Sequence, residues 1–510
     1  MTPSSTSNSL PAVSRIAGAL FFLLVSVPAI LPAHSAQSES LDELYQQAIA
    51  AQAAGNLKAA TQKYLRIVAL RPDVAEVHAN LGRLYFQQQQ SEDAERCLKK
   101  AIKLKPNLAG PYFFLGVLAF NDRRYKEASS YLRKADSLDK SEDATTLYLA
   151  YTAYALADYL GAVGHFRKLA NVSPDDPDVL YYLSKSYGQA AKRNLSLLQQ
   201  KFPNSFHMHL ARGHAYEAQS RWEDAKSEYD LAQSQQPENA RLKLRLAWVK
   251  QNASGQPPSR AAGPQDELID GSLRFLYASP ERSEVQGELK RYESFVDRDA
   301  GGVSAESIYS LAENYQILSF LTSLRVFEVA PESYRAHQLK AQYYAELDKD
   351  DEALKEYRAA ASLKPDLPDL HFEIGNLYWK RSRLQEALPE LTQELSIQPN
   401  HPQALYEVAD ILFFDGKLAE AEQYLLKALK VEPAMAEARL ALEKIYTTTG
   451  RYTEALVELK RVCELTPEDP TPHYRMATVL RKLGKQEEAQ REMGIFTRLQ
   501  RGQPATSSTR

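Results

Sequence analysis

The side chains of this chain that could do chemistry are its ten histidines, its two cysteines and a few glutamates near its middle. His207, His209 and His214 form the one local histidine cluster. His207 and His214 are seven apart and share a helix face, but neither has a Cys or a second His at i+3 or i+4 to complete a zinc site. Glu281, Glu284 and Glu288 fall at the spacing of a solvated helix face rather than of an acid/base pair. Cys97 and Cys463 are too few for a disulfide framework and read as small core residues. There is no Gly-rich phosphate loop, no G-x-S-x-G, no H-E-x-x-H and no Cys pair at metal spacing. The sequence therefore predicts no catalytic residue, no cofactor and no metal, and a protein that is not an enzyme.

What positions these side chains is a ladder. Ala60, Ala94, Ala128 and Ala162 stand 34 residues apart, and so do Ala353, Ala387, Ala421, Ala455 and Ala489. Proline follows 12 residues after many of them, at Pro72, Pro106, Pro174, Pro365, Pro399, Pro433 and Pro467. A fixed period in this range means stacked supersecondary units. Each proline ends a second helix, and each alanine stands where two helices pack closely. In the unit 75–106, Leu81, Gly82 and Tyr85 recur at helical spacing in one half, and Ala94, Leu98 and Ala101 in the other. His78, His209, His337, His371 and His473 all take the fourth place of their unit, a position that packs between helices. Whole repeats separate them, so they cannot converge on one ion.

This pattern resembles the tetratricopeptide repeat (TPR) family, with its L-G-x-x-Y first helix, A-x-x-x-F-x-x-A second helix and closing Pro. The resemblance recurs in units ending at Pro72, Pro106, Lys140, Pro174, Pro237, Pro365, Pro399, Pro433 and Pro467, with a last copy around Ala489. Lys140 departs from the expected Pro. The resemblance implies an all-α solenoid, a right-handed superhelix of about 12–13 helix–turn–helix repeats in two arrays. It also implies a concave face lined by the second, fifth, sixth, ninth, twelfth and thirteenth residues of each first helix. Carried onto this chain, those places hold Phe86, then Phe113, Phe114 and Phe120, then Tyr148, Tyr151 and Tyr154, then Tyr181 and Tyr182. The second array is sparser, with Phe372, Trp379, Tyr406, Phe413 and Phe414. Such rings either recognise a bound segment or fill the tightly wound inner face. The Lys/Asn arrangement with which some family members hold a C-terminal carboxylate is not matched.

Composition agrees with a helical solenoid: 25% charged and 44% hydrophobic residues, with 21 Gly. A net charge of −3, without blocks of like charge, argues against nucleic acid as a partner. Residues 1–36 read as a secretory signal peptide, with one Arg, an apolar run from Ile16 to Ala33 and small residues at Ala33-His34-Ser35-Ala36. The expected location is periplasmic or secreted, with no stable membrane insertion after cleavage. The alternative is an uncleaved membrane anchor.

The ladder slips between Ala162 and Ala353. At a fixed offset of 128, Tyr181 matches Tyr309, Leu183 Leu311, Tyr187 Tyr315, Pro203 Pro331, Ser205 Ser333, His209 His337, Tyr216 Tyr344, Ala225 Ala353, Tyr229 Tyr357 and Pro237 Pro365. Since 128 is not a multiple of 34, this reads as a duplicated module containing a unit whose second helix is shortened before Pro203, with two independent deletions as the alternative. Residues 251–265, rich in Gly, Pro and Ser, read as an exposed linker. The expected order is signal peptide 1–36, N-terminal array 37–251, linker and degenerate helical repeat 252–304, C-terminal array 305–494, and helix end with a disordered tail 495–510. A cut in the linker is expected to release two helical halves. The functional expectation is a non-enzymatic scaffold binding extended protein segments in the aromatic groove. The alternative is an accessory or enzymatic component of a cell-envelope or carbohydrate pathway, with its site in 252–304.

Overall fold

The structure, a computed structural model, describes residues 40–141, 143–254, 282–299 and 301–501. The expected signal peptide, most of the linker and the C-terminal tail lie outside these residues. The described residues form helices without strands. Through most of the chain they come as antiparallel pairs: Ala75–Gln87 packs on Ser91–Leu104, Ala109–Asn121 on Tyr125–Leu138, and Pro402–Phe414 on Leu418–Val431.

The pairing follows from small residues at two fixed places. Ala60, Ala94, Ala128, Ala162, Ala353, Ala387, Ala421 and Ala455 have no exposed surface. Gly82 and Gly116 are the eighth residues of their first helices and Gly375 the sixth of Leu370–Lys380, and a Cβ at these places would lie 2.5 to 2.8 Å from the Cγ of Leu98, Leu132 and Leu391. A side chain at either place would wedge the pair apart. Replacing Ala94, Ala128, Ala387 or Ala421 by Leu is accordingly expected to cost about 1–3 kcal/mol each through overpacking, measured as a lowered denaturation midpoint. The turn inside each pair needs one residue in the left-handed region. Gln89, Arg123 and Ala157 take it at φ near 60°, whereas Gly416, Gly450 and Gly484 take it at 75°, where glycine carries no Cβ penalty.

Two helices break the pattern. Pro177–Lys201 and Ala305–Val329 are each 25 residues long and continuous. The expected shortened second helix before Pro203 is therefore corrected: the chain runs on as one helix. The stretch from Ala190 to Lys201 holds no Gly or Pro, and its Ala, Lys, Arg, Leu and Gln residues outweigh Asn194 and Ser196 in favouring a helix. Within the break, Arg282–Asp299 is a helix that packs on Ala305–Val329.

Two compact units emerge, one ending at Leu339 and the other running from Lys340. The division falls inside the helix Tyr334–Glu346, away from residues 252–304.

Candidate functional site

In the first unit, successive first helices bring the expected groove rings together as one ladder. Phe86 lies 5.3 Å from Phe114, Phe114 5.2 Å from Phe113, and Phe113 5.7 Å from Tyr148 (ring centroids). Phe120 meets Tyr148 at 5.7 Å and Tyr151 at 6.4 Å. Tyr151 meets Tyr182 at 4.9 Å, and Tyr182 touches Tyr154 and Tyr181. Most contacts are edge-on or tilted, the arrangement that aromatic quadrupoles prefer. All nine rings belong to this ladder, but only Phe86 is half-buried; the other eight are between 2% and 8% exposed. Their faces therefore meet one another more than solvent, and burial pushes the Tyr151 hydroxyl well above its ordinary pKa.

The far end of the ladder carries a cation. The Arg335 guanidinium lies 4.4 Å from the Tyr181 ring centroid and 4.9 Å from that of Tyr182. Arg335 is 1% exposed; its Nε donates to Asp178 at 2.6 Å and its Nη1 to Gln338 at 2.7 Å. A buried guanidinium is tolerated because carboxylate, amide and ring faces together replace its water.

In the second unit the inner face is different. Trp379, Tyr406 and Phe413 are half-buried, and Phe414 is 68% exposed. Trp379 Nε1 donates to Asp410 at 2.9 Å, and the Trp379 and Tyr406 rings meet edge-on at 6.1 Å. Burial, then Asp410, Glu437 and Glu407, push the Tyr406 hydroxyl up to about 12. These rings lie on Leu370–Lys380 and Pro402–Phe414, successive first helices.

Beneath them Glu407 is 3% exposed. Asn376 donates to one of its oxygens, and the other has no hydrogen-bond partner among the described residues. Burial dominates and pushes this carboxyl up to about 8, with Glu373 and Asp410 adding to it and Asn376 and Lys380 opposing it. A carboxyl that holds its proton more tightly folded than unfolded lends stability that is complete below its unfolded pKa near 4.5 and is lost as pH rises through 8. The 340–501 unit is thus expected to lose on the order of a few kcal/mol between pH 5 and 9, and Glu407→Gln to flatten that slope. Thermal melts of both proteins across that range test this.

The histidines are braces. His209, His371 and His473 each meet a glutamate 19 residues on, Glu228, Glu390 and Glu492, at 2.6 to 2.7 Å, tying first helix to second. His78 meets the Pro72 carbonyl at 2.9 Å, and His337 lies 3.8 Å from Glu332. In the local cluster, His207 packs on Tyr309, His209 faces Glu228, and burial lowers His214 to about 3. Among the described residues no three His, Cys, Asp or Glu side chains are placed to hold a metal ion. Glu281 lies outside the described residues, and Glu288 pairs with Arg291 at 3.4 Å. Both thiols are half-buried, which raises their pKa, Cys463 to about 11.

Tetratricopeptide-repeat family models match residues 75–108, 109–142 and 372–430, and a model described as TPR repeat matches 341–382 and 444–484. The chain carries tetratricopeptide repeats over these residues. Those matches fall on the helix pairs described above and leave the two long helices between them. Solved structures similar to this protein include MamA, at 15% identity and a TM-score of 0.31, covering 32% of this chain and 95% of that one. MamA from Desulfovibrio magneticus RS-1 is 19% identical with a TM-score of 0.32, covering 33% and 96%. YrrB, described as a TPR protein with an unusual peptide-binding site, is 19% identical with a TM-score of 0.32, covering 35% and 92%. No curated protein matches the sequence.

Proposed function

We propose that this protein is a non-catalytic scaffold that binds extended protein segments along the inner faces of its first helices, and that its main docking face lies in residues 370–448. One observation carries the reading. Trp379, Tyr406, Phe413 and Phe414 leave ring surface open on successive first helices, whereas the ladder from Phe113 to Tyr182 is nearly closed to solvent. Rings of this kind bury large area with little loss of rotamer freedom, as recognition requires. The buried ladder then serves as a stiff floor in the first array, with Phe86 its accessible edge.

Asp410 and the exposed Glu437, beside Tyr406, favour a segment that carries a Lys or Arg among apolar side chains. Among the described residues no helix is long and apolar enough to cross a membrane. We place the protein's work outside the cytoplasm on the signal-peptide reading of residues 1–36.

An array of short synthetic peptides, with Lys, Arg and aromatic positions varied independently, tests the proposal. Capture of peptides pairing an apolar residue with Lys or Arg is expected, with at least about a tenfold loss in Phe413→Ala/Phe414→Ala at unchanged helicity. Equal capture by that variant would remove the face from consideration.

A further inference from the structure

The two long helices pack on each other antiparallel, and the contacts repeat under an exchange rule. Residues 177–201 become 305–329 on adding 128, 206–218 become 334–346, and 222–235 become 350–363, each matching an observed helix at both ends. The turns agree as well: Ser220 and Asp348 both take φ 55°. Ser205 caps its helix by accepting from Met208 N at 3.2 Å, as Ser333 does from Ala336 N at 3.2 Å.

The same shift relates the packing between the copies. One buried cluster joins Leu180, Val326 and Ala336, and another joins Ile308, Leu198 and Met208. Adding 128 to 180, 198 and 208 gives 308, 326 and 336, so the second cluster is the first with the two copies exchanged. Arg335 over Tyr181 corresponds in the same way to His207 beside Tyr309, whose rings are 5.4 Å apart. Tyr187 and Tyr315, matching residues, meet each other with centroids 6.0 Å apart.

An interface in which i touches j and the equivalent of j touches the equivalent of i is the signature of a two-fold. We infer that the chain contains a homodimer-type interface folded within itself: the modules beginning at Pro177 and Ala305 are each other's partner about a pseudo-two-fold axis at Tyr187 and Tyr315. The pairing surface on each module fits the other copy of the module. Its occupancy places Arg335 on Tyr181 and Tyr182, at the end of the aromatic ladder. The expectation that a cut between the modules frees two halves is thereby reversed, since contacts on both sides of residues 252–304 hold the pieces together.

The test uses the full-length protein with a site-specific protease sequence inserted after Gly263. After complete cleavage, size exclusion with light scattering is expected to show one species with the mass of both pieces. Leu198→Glu and Val326→Glu occupy equivalent places in the two clusters, so each is expected to weaken the pairing to a similar degree, within about threefold in dissociation rate. Circular dichroism of each cleaved variant separates lost pairing from lost folding. Two helical pieces that elute apart without any substitution would overturn the inference. A variant pair in which one substitution releases the pieces and the other leaves them bound, both remaining helical, would overturn the two-fold.

Discussion

Truncating Tyr151 to alanine is expected to destabilise the unit that ends at Leu339 by about 3–5 kcal/mol, the cost of removing a large buried aromatic side chain and leaving a cavity. Its ring touches Phe120, Tyr148, Phe166 and Tyr182 and is 2% exposed. Hydrogen exchange in helices 109–121, 143–155, 159–172 and 177–201 should report the loss, since these helices carry the rings that close around it. Phe86→Ala, at the half-buried end of the ladder, should cost distinctly less. A Tyr151→Ala protein with unchanged exchange would mean that the ladder is open to solvent and works as a groove throughout.

The second large effect belongs to Asp178. Asp178→Ala leaves the Arg335 guanidinium buried without its carboxylate, and breaking a buried pair from one side costs about 3–5 kcal/mol. Tyr334 also donates to Asp178, at 2.6 Å, so the loss extends beyond the ion pair. Asp178→Leu combined with Arg335→Met should recover most of that stability, because an apolar pair of similar volume carries no desolvation penalty. Urea midpoints of the single and double variants decide it. If Asp178→Ala were neutral, the charge at the end of the ladder would be solvated and the Arg335 contact would contribute little.

Much of this architecture was legible because the repeat writes small residues at fixed places. The period of Ala94, Ala128 and Ala162 marks helix pairs, and the burial of those alanines is what the period requires. At Pro177–Lys201 the alanine ladder breaks but the helix does not. The usable signal is the absence of Gly and Pro from Ala190 to Lys201, a stretch rich in Ala, Leu, Lys and Gln. The rings from Phe86 to Tyr182 touch one another in one ladder, and their burial is not readable from the local sequence. Part of the enclosure comes from Arg335, more than 150 residues beyond Tyr181 and Tyr182. Glu407 takes the sixth place of its first helix, the place that Phe114 and Tyr148 hold in the first unit, and only the surrounding fold shows that a carboxyl is buried there.

The most direct test of the docking reading is hydrogen–deuterium exchange on the full protein saturated with the tightest peptide from the array. Added protection is predicted in the first helices 370–380, 402–414 and 436–448, with the second helices 384–397 and 418–431 unchanged. Protection confined to those second helices, or to helices 143–155 and 177–201, would contradict it.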